Sequence, residues 1–315
     1  MIEQFTSVVF LTGFLASMIR MATPIVIVAL GEMVTERSGI MNLGIEGIVW
    51  IGAFAGFATT ILTGSYIWGF LVGGIVGILF GLIMSVVAVE FHGHQIVAGL
   101  GIWILCNGLS GLLNRSIFGI STERPTIVAT LPTIPIPGLS NIPIIGETLF
   151  NQNIIVYLTI LAVPLINFFF KEISWGLNID AVGEQPRAAD AAGLRVGVIR
   201  TLSACFGGFL AGIGGAYLPL ALYSIYTNDI STGLGWMAIV VLVFGKWRPW
   251  GILGGALIFG AANALKWRLQ NTDLPLPYQI TLMLPYLVTL VMVIFFVRGG
   301  SGPSALAKPF VRSEN

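Results

Sequence analysis

The chain has 315 residues, 56% of them hydrophobic and only 9% charged, with a formal net charge of +1. Soluble domains carry about a quarter charged residues, so this composition excludes a soluble globular fold, and the near-zero charge excludes an electrostatic nucleic-acid binder. Apolar runs of about 18 residues or more recur, each long enough to cross a bilayer, and they predict an all-α polytopic membrane protein with one transmembrane domain over 1–315.

In chain order the runs place about nine spans, at 6–30, 40–62, 67–90, 95–113, 153–170, 197–222, 233–245, 250–266 and 279–297. The first is too long for a signal-peptide core and lacks a small-residue cleavage site, so it counts as a span. Between the first two lies TERSGIMNLGIEG, a polar stretch broken by Gly39, Gly44 and Gly47. In hydrocarbon, irregular backbone survives only where protein or a cavity shields it, and broken helices are where transporters build substrate sites or hinges. The spacing predicts that Asn42 and Glu46 share one helix face, with Glu46 drawn into the membrane as a functional-site candidate. The residues leave a blander reading open: a cytoplasmic loop with Glu46 salt-bridged one turn inside. Arg20, within the first span, is expected to pair with Glu32 or Glu46, or to snorkel to an interface.

The third span ends at His92-Gly-His94. These are the only two histidines, with no clustered carboxylates or thiols, so no metal site is expected. Cys106 and Cys205 lie far apart inside apolar segments and read as small buried hydrophobes. The external loop, about 114–152, is proline-rich and expected to be extended or turn-like, packed over the membrane mouth.

The internal loop, about 171–200, differs in kind. Its run PRAADAAG carries Pro186 at a first-turn position, helix-favouring alanines, and Gly193 as a stop. That predicts a helix of about two turns in which Ala189 and Ala192 leave one flat face, able to lie in a partner's groove, with Glu184 and Arg187 fixing its orientation. The seventh span is short and follows YTNDISTGLG, which is expected to re-enter the membrane.

Candidate path residues are the polar side chains within or beside spans: Asn42, Glu46, Asn107, Asn228, Asp229 and Asn263. Trp50, Trp103 and Trp236 offer stacking surfaces for a ring, with core packing or interface anchoring the competing reading for each. No nucleophile–base pair or metal cluster marks an enzyme. The positive-inside rule sets the orientation. Arg37, Lys171, Arg187, Arg195, Arg200, Lys246, Arg248, Arg298, Lys308 and Arg312 fall on one side, against Arg115, Arg124, Lys266 and Arg268 on the other. The N-terminus is then outside and the C-terminus cytoplasmic. SGIMNLGIEGIVWIGAFAG enters an outward span and STGLGWMAIVVLVFG an inward one, as an inverted-topology repeat requires.

Three stretches in order, GEMVTERSGIMNLGIEG, AVGEQPRAADAAGLRV and YTNDISTGLGWMAIVVLVFGKWRPWG, resemble the permease subunits of ABC importers. Among these the chain is most similar to the branched-chain amino acid, simple-sugar and nucleoside permease family, in its nucleoside and simple-sugar branch. The resemblance covers nearly the whole chain. It implies a prokaryotic cell-membrane permease that moves a nucleoside or simple sugar inward by alternating access. It also implies a second permease subunit, a related chain forming a heterodimer, together with an ABC ATPase and an extracytoplasmic substrate-binding protein. The internal loop matches the family's ATPase-coupling segment, which carries that role onto Gly183, Glu184, Pro186, Arg187, Ala188, Ala189, Ala192 and Gly193. Here Gly193 directly follows Ala191 and Ala192, a departure from the wider importer pattern. The chain has no G-x-x-x-x-G-K-[ST] phosphate loop, so ATP and Mg²⁺ belong to the partner ATPase and no cofactor is expected in this subunit. The residues alone leave one rival function, a secondary transporter or channel using Glu46 as an ion or proton site.

Overall fold

The computed structural model describes residues 8–119, 126–140, 142–270, 277–296 and 302–311. The outer ends of the spans expected at 6–30 and 279–297, together with Arg124, Arg298 and Arg312, lie outside these residues. Helices α1 (Val8–Arg37), α2 (Ile45–Thr63), α3 (Tyr66–Ser85, continued by a π-helical turn, Val86–Glu90) and α4 (Gln95–Phe118) form the first half. Two short strands, β1 (Thr133–Pro135) and β2 (Asn151–Asn153), flank α5 (Ile145–Leu149). Then follow α6 (Ile154–Glu172), α7 (Ser174–Glu184), α8 (Pro186–Ala191), α9 (Val196–Tyr217, continued by a π-helical stretch, Leu218–Tyr223), α10 (Leu234–Phe244), α11 (Pro249–Gln270) and α12 (Tyr278–Phe296).

Among the described residues, helices occupy most of each expected segment. Six of them, Phe10–Arg37, Ile45–Thr63, Tyr66–Glu90, Gln95–Phe118, Ile154–Glu172 and Val196–Tyr223, are long and apolar enough to cross a membrane. Leu234–Phe244 is a shorter apolar helix, as is Gln279–Met292 within α12, while α11 carries Lys266 and Arg268 near its end. The first boundary differs from expectation. The helix runs on through GEMVTER to Arg37, and α2 begins only at Ile45. Glu32 and Glu36 are thus inside α1 and buried, where the helix ladder satisfies the backbone and the carboxylates accept from the Asn42 N–H and the Trp247 indole N–H.

α9 lies at the centre, packed on α1, α2 and α3. Its glycines meet those of α3 backbone to backbone: a Cβ on Gly208 would sit 2.2 Å from the Gly77 carbonyl oxygen, and one on Gly77 would sit 2.0 Å from the Gly208 oxygen. Without a hydrophobic drive between helices in lipid, such close approach is what supplies dispersion contact and holds the pair. Cys106 is buried in α4 and Cys205 is half-buried in α9, both free.

The proline-rich loop packs down as a cap. β1 pairs antiparallel with β2, Ile134 opposite Gln152. The N–H groups of Val128 and Leu131 donate to the carbonyls of Ser224 (2.8 Å) and Leu220 (2.8 Å), pinning the loop across the end of α9. Arg20 is settled here too. Its Nε donates to Gln152 Oε1 at 2.9 Å, so it reaches the cap and pairs with neither Glu32 nor Glu46. Within the internal loop, Ser174–Glu184 forms a further helix, α7, that the glycine at 176 and the scattered polar residues had hidden.

The interlock is testable. Gly208→Leu forces the α3–α9 backbones apart, with an overpacking cost of about 1–3 kcal/mol or more. The variant is expected to lose monodisperse extraction or to melt well below the parent. Gly254→Ala, which meets nothing within 4 Å, should match the parent. Equal thermal unfolding of all three proteins would show that the glycine contact is not a keystone.

Candidate functional site

After α1 the chain turns at Gly39 (φ 97°) and climbs back along the helix it has just left. The Gly39 N–H donates to Glu36 O at 2.8 Å, Ile40 N–H to Thr35 O at 3.3 Å, and Asn42 N–H to Glu32 Oε1 at 3.1 Å. Asn42 is not helical. Its Oδ1 accepts from Gly44 N–H (3.0 Å), an Asx-type turn that launches α2 at Ile45. Asn42 and Glu46 therefore do not share a helix face, because the helix starts between them. Both are 2% exposed.

Glu46, in the first turn of α2, reaches across to the second broken stretch. There Ser224 (φ 63°), Thr232 (φ 47°) and Gly233 (φ 86°) bend the backbone before α10 begins at Leu234. Glu46 Oε1 accepts a short hydrogen bond from Ser231 Oγ and one from Gly233 N–H at 3.1 Å, while Oε2 accepts from Gly235 N–H at 2.5 Å. The carboxylate thus caps the start of α10 from another helix, satisfying amides that a helix N-terminus leaves unpaired and meeting its positive dipole end. Its partners are a hydroxyl and backbone amides, so the salt-bridged reading of Glu46 does not hold. Gly235 is required for this fit, since a Cβ there would sit 2.6 Å from the Glu46 Cα.

Aromatic residues gather around this joint. A Cβ on Gly47 would meet the Trp103 Cα at 2.7 Å, and Trp103 makes an edge contact with Trp236, on the first turn of α10, with centroids 6.2 Å apart and planes at 77°. The indole N–H groups of Trp50 and Trp103 are buried without a hydrogen-bond partner among the described residues. Asn107 is exposed one turn beyond Trp103 on α4, and Asn228 lies over Gly111 one turn further, its amide nitrogen 3.9 Å from where a Cβ would be. Asp229, beside it, is exposed. Asn263 stands apart. It donates to Phe259 O (3.2 Å) within α11 and lines a separate small cavity of about 30 Å³ with Ser231, Thr232 and Lys266. The structure therefore gathers Trp103 and Trp236 beside Glu46, sets Asn107 one turn along α4 and Asn228 over the turn after it, and places Asn263 on another helix, by the Ser231–Thr232 turn. Ser231 was the functional residue least visible in the sequence. Its signal was a hydroxyl ahead of a glycine-started helix whose acceptor lies 185 residues away.

At the opposite end, α8 has Pro186 in its first turn and ends in a Schellman motif: Leu194 N–H donates to Ala189 O (3.0 Å) and Gly193 N–H to Asp190 O (2.9 Å), with Gly193 at φ 90°. The expected flat alanine face is not presented. Ala189 is 4% exposed and packs into this chain's core, while Arg187, Ala188, Ala191 and Ala192 face outward. Gly183 is buried, and Glu184 turns back to Ser304, whose Oγ donates to it at 2.6 Å. α7 is tied to the end of α1 by Arg37, whose Nε and Nη2 donate to Asp180 at 2.6 and 2.5 Å. Burial raises the Asp180 carboxyl above its ordinary range, and the Arg37 guanidinium opposes that rise. His92 Nε2 donates to Phe310 O at 3.0 Å, and no group of three metal-ligating side chains occurs among the described residues.

A family model described as "Branched-chain amino acid transport system / permease component" matches residues 14–297. A Haloferax volcanii chain described as a glucose ABC transporter permease protein, TsgC13, is 36% identical over 274 residues, covering 85% of this chain and 80% of its own. The guanosine ABC transporter permease protein NupQ of Bacillus subtilis is 33% identical over 306 residues, covering 93% and 94%. A solved ABC transporter in an inward-facing conformation shares the fold, with a TM-score of 0.53 over 89% of this chain and 84% of that chain at 15% identity.

The cap at Glu46 makes a stability prediction. Glu46→Ala orphans two amides and a hydroxyl in a buried site, at about 1–3 kcal/mol for each unsatisfied group. The purified variant is expected to melt clearly below the parent, with Ser231→Ala, which removes one donor, falling in between. Identical melting temperatures would mean that Glu46 does not hold α10.

Proposed function

Because the chain belongs to the branched-chain amino acid transport system permease family, we propose that it is the membrane-spanning subunit of an ATP-driven importer that carries a nucleoside or simple sugar into a prokaryotic cell. The observation that carries this reading is the near full-length similarity to NupQ, together with the similarity to TsgC13, which names the two substrate classes. The sequence has no phosphate loop, so hydrolysis falls to a separate ATPase, with a second, related permease and an extracytoplasmic binding protein completing the assembly. The three remaining apolar helices complete about nine membrane segments, with the N-terminus outside.

α10 has 11 residues and spans about 16 Å, roughly half a hydrocarbon core. Glu46, at its start, then lies near the midplane, where transporters of broken-helix design place their substrate path. Trp103 and Trp236 supply ring surfaces beside that point, and Asn107 and Asn228 supply amides one and two turns away. Asn42 and Glu46 act on the path by holding its two broken segments in place, since the Asn42 N–H and Oδ1 and both Glu46 carboxylate oxygens are already engaged. For the same reason Glu46 is not favoured as an ion or proton site. Docking of the ATPase on the exposed residues of α8 drives alternating access, because ATP binding favours one arrangement of the spans over the other.

Reconstituted with its partners, the chain should take up labelled guanosine or glucose only with ATP and the loaded binding protein. A proton gradient should not replace them, and accumulation by this chain alone would overturn the reading. Two alanine variants locate the docking face. Ala192→Trp is expected to leave the permease folded while lowering copurified ATPase and uptake together. Ala189→Trp should instead destabilise the permease itself, because that methyl is buried in its own core. Full ATPase complement and uptake with Ala192→Trp would remove α8 from coupling.

A further inference from the structure

The segment Gly302–Val311 follows the last helix and carries no recognisable motif, yet it crosses the whole cytoplasmic end and pairs with five separate elements. Gly302 lies against the indole of Trp247, in the turn after α10, and that indole N–H donates to Glu36 in α1 at 2.6 Å. Ser304 donates through Oγ (2.6 Å) and N–H (3.3 Å) to Glu184, two residues before α8. Ala305 N–H donates to Gly183 O at 2.9 Å, and Ala307 N–H to Gly39 O at 3.1 Å. Arg200, 1% exposed at the start of α9, donates from Nε to Ser38 O (3.1 Å) and from Nη1 to Lys308 O (3.1 Å). Phe310 O receives His92 Nε2 at the α3–α4 turn.

Residues 305 and 307 are thus tied, through successive amides, to the end of α7 and to the hinge at Gly39. A Cβ on Gly183 would lie 1.9 Å from Arg37 O, so α7 and the end of α1 already touch backbone to backbone, and the tail closes the other side. The buried Arg200 guanidinium has no carboxylate partner among the described residues. Its two bonded nitrogens meet only carbonyls, one from the hinge and one from the tail, and its Nη2 is buried without a partner. A buried cation is costly to leave unpaired, so the tail and the hinge are held to the same point.

We propose that Gly302–Val311 is a mechanical strap that transmits movement of α8 to the hinge at Gly39, and from there to the joint at Glu46. This rests on the reading of α8 as the ATPase-docking helix. A displacement of α8 pulls Glu184 and Gly183, which carry Ser304 and Ala305. Ala307 and Lys308 then draw on Gly39 and on Arg200, which grips Ser38. The Asn42–Glu32 contact lies three residues beyond Gly39, and Glu46 lies four beyond that.

The test uses the assembled transporter with a chain ending after residue 301, and with Ala305→Trp, which lifts the strap at its buried residue (6% exposed) without altering any span. Both variants are expected to keep stoichiometric ATPase and basal ATP hydrolysis. Stimulation of hydrolysis by loaded binding protein should disappear, and uptake should fall about tenfold or more, within the range of allosteric coupling energies. Unchanged stimulation and uptake would overturn the strap. Loss of the ATPase from the complex would also overturn it, making the tail part of the docking surface, and failure of both variants to fold would reduce it to a structural brace. If the parent complex itself shows no stimulated uptake, the importer reading fails independently of the strap.

Discussion

The whole arrangement depends on one carboxylate. Glu46 sits in the first turn of α2 and spends its oxygens on Ser231, Gly233 and Gly235, the residues from which α10 starts. The irregular backbone ahead of α10, intolerable alone in an apolar medium, is satisfied there by a side chain from α2. A cation in place of those amides would fix a charge but not a direction. The amides of a helix start fix both, so α10 cannot tilt without stretching bonds to α2. The two segments are thereby joined as a unit.

Around this joint the helices are held by the absence of side chains as much as by their presence. Gly77 and Gly208 let α3 and α9 approach until backbone meets backbone, and Gly235 lets α10 press on α2. Close-packed interiors respond to force by switching between arrangements more readily than by bending, which suits alternating access. The polar contacts sit at the ends of this packed centre. On one side Arg20 and Gln152 tie α1 to the external cap, and on the other Arg37 and Asp180 tie it to α7.

At the end of the bundle that carries α8, helices, turns and tail converge within a few residues of Gly39. Glu36 receives the Trp247 indole, Ser38 receives Arg200, and Gly39 receives Ala307. α8 stands just outside this cluster, with Arg187 and Ala192 exposed and Ala189 anchored within. The helix therefore has one face rooted in the rest of the chain through Ala189 and another that is exposed.

Membrane class, the run of apolar helices, the short Pro186–Ala191 helix with its Gly193 stop, and the break in helix ahead of Glu46 were all legible in the sequence. Each rests on local chemistry: length of apolar run, first-turn proline, left-handed glycine, a carboxylate among hydrophobes. What could not be read were the partners. Asn42 and Glu46 looked like neighbours on one helix because spacing assumes the helix already exists, whereas the Asx-type turn at Asn42 delays it to Ile45. The partners of Glu46 lie 185 to 189 residues along the chain, those of Arg20 132 residues along, and the tail's at Gly39 and Gly183. A hydrogen bond between distant segments leaves no period in either of them. Only the packing of α1, α2, α9 and α10 against one another decides which buried polar group meets which.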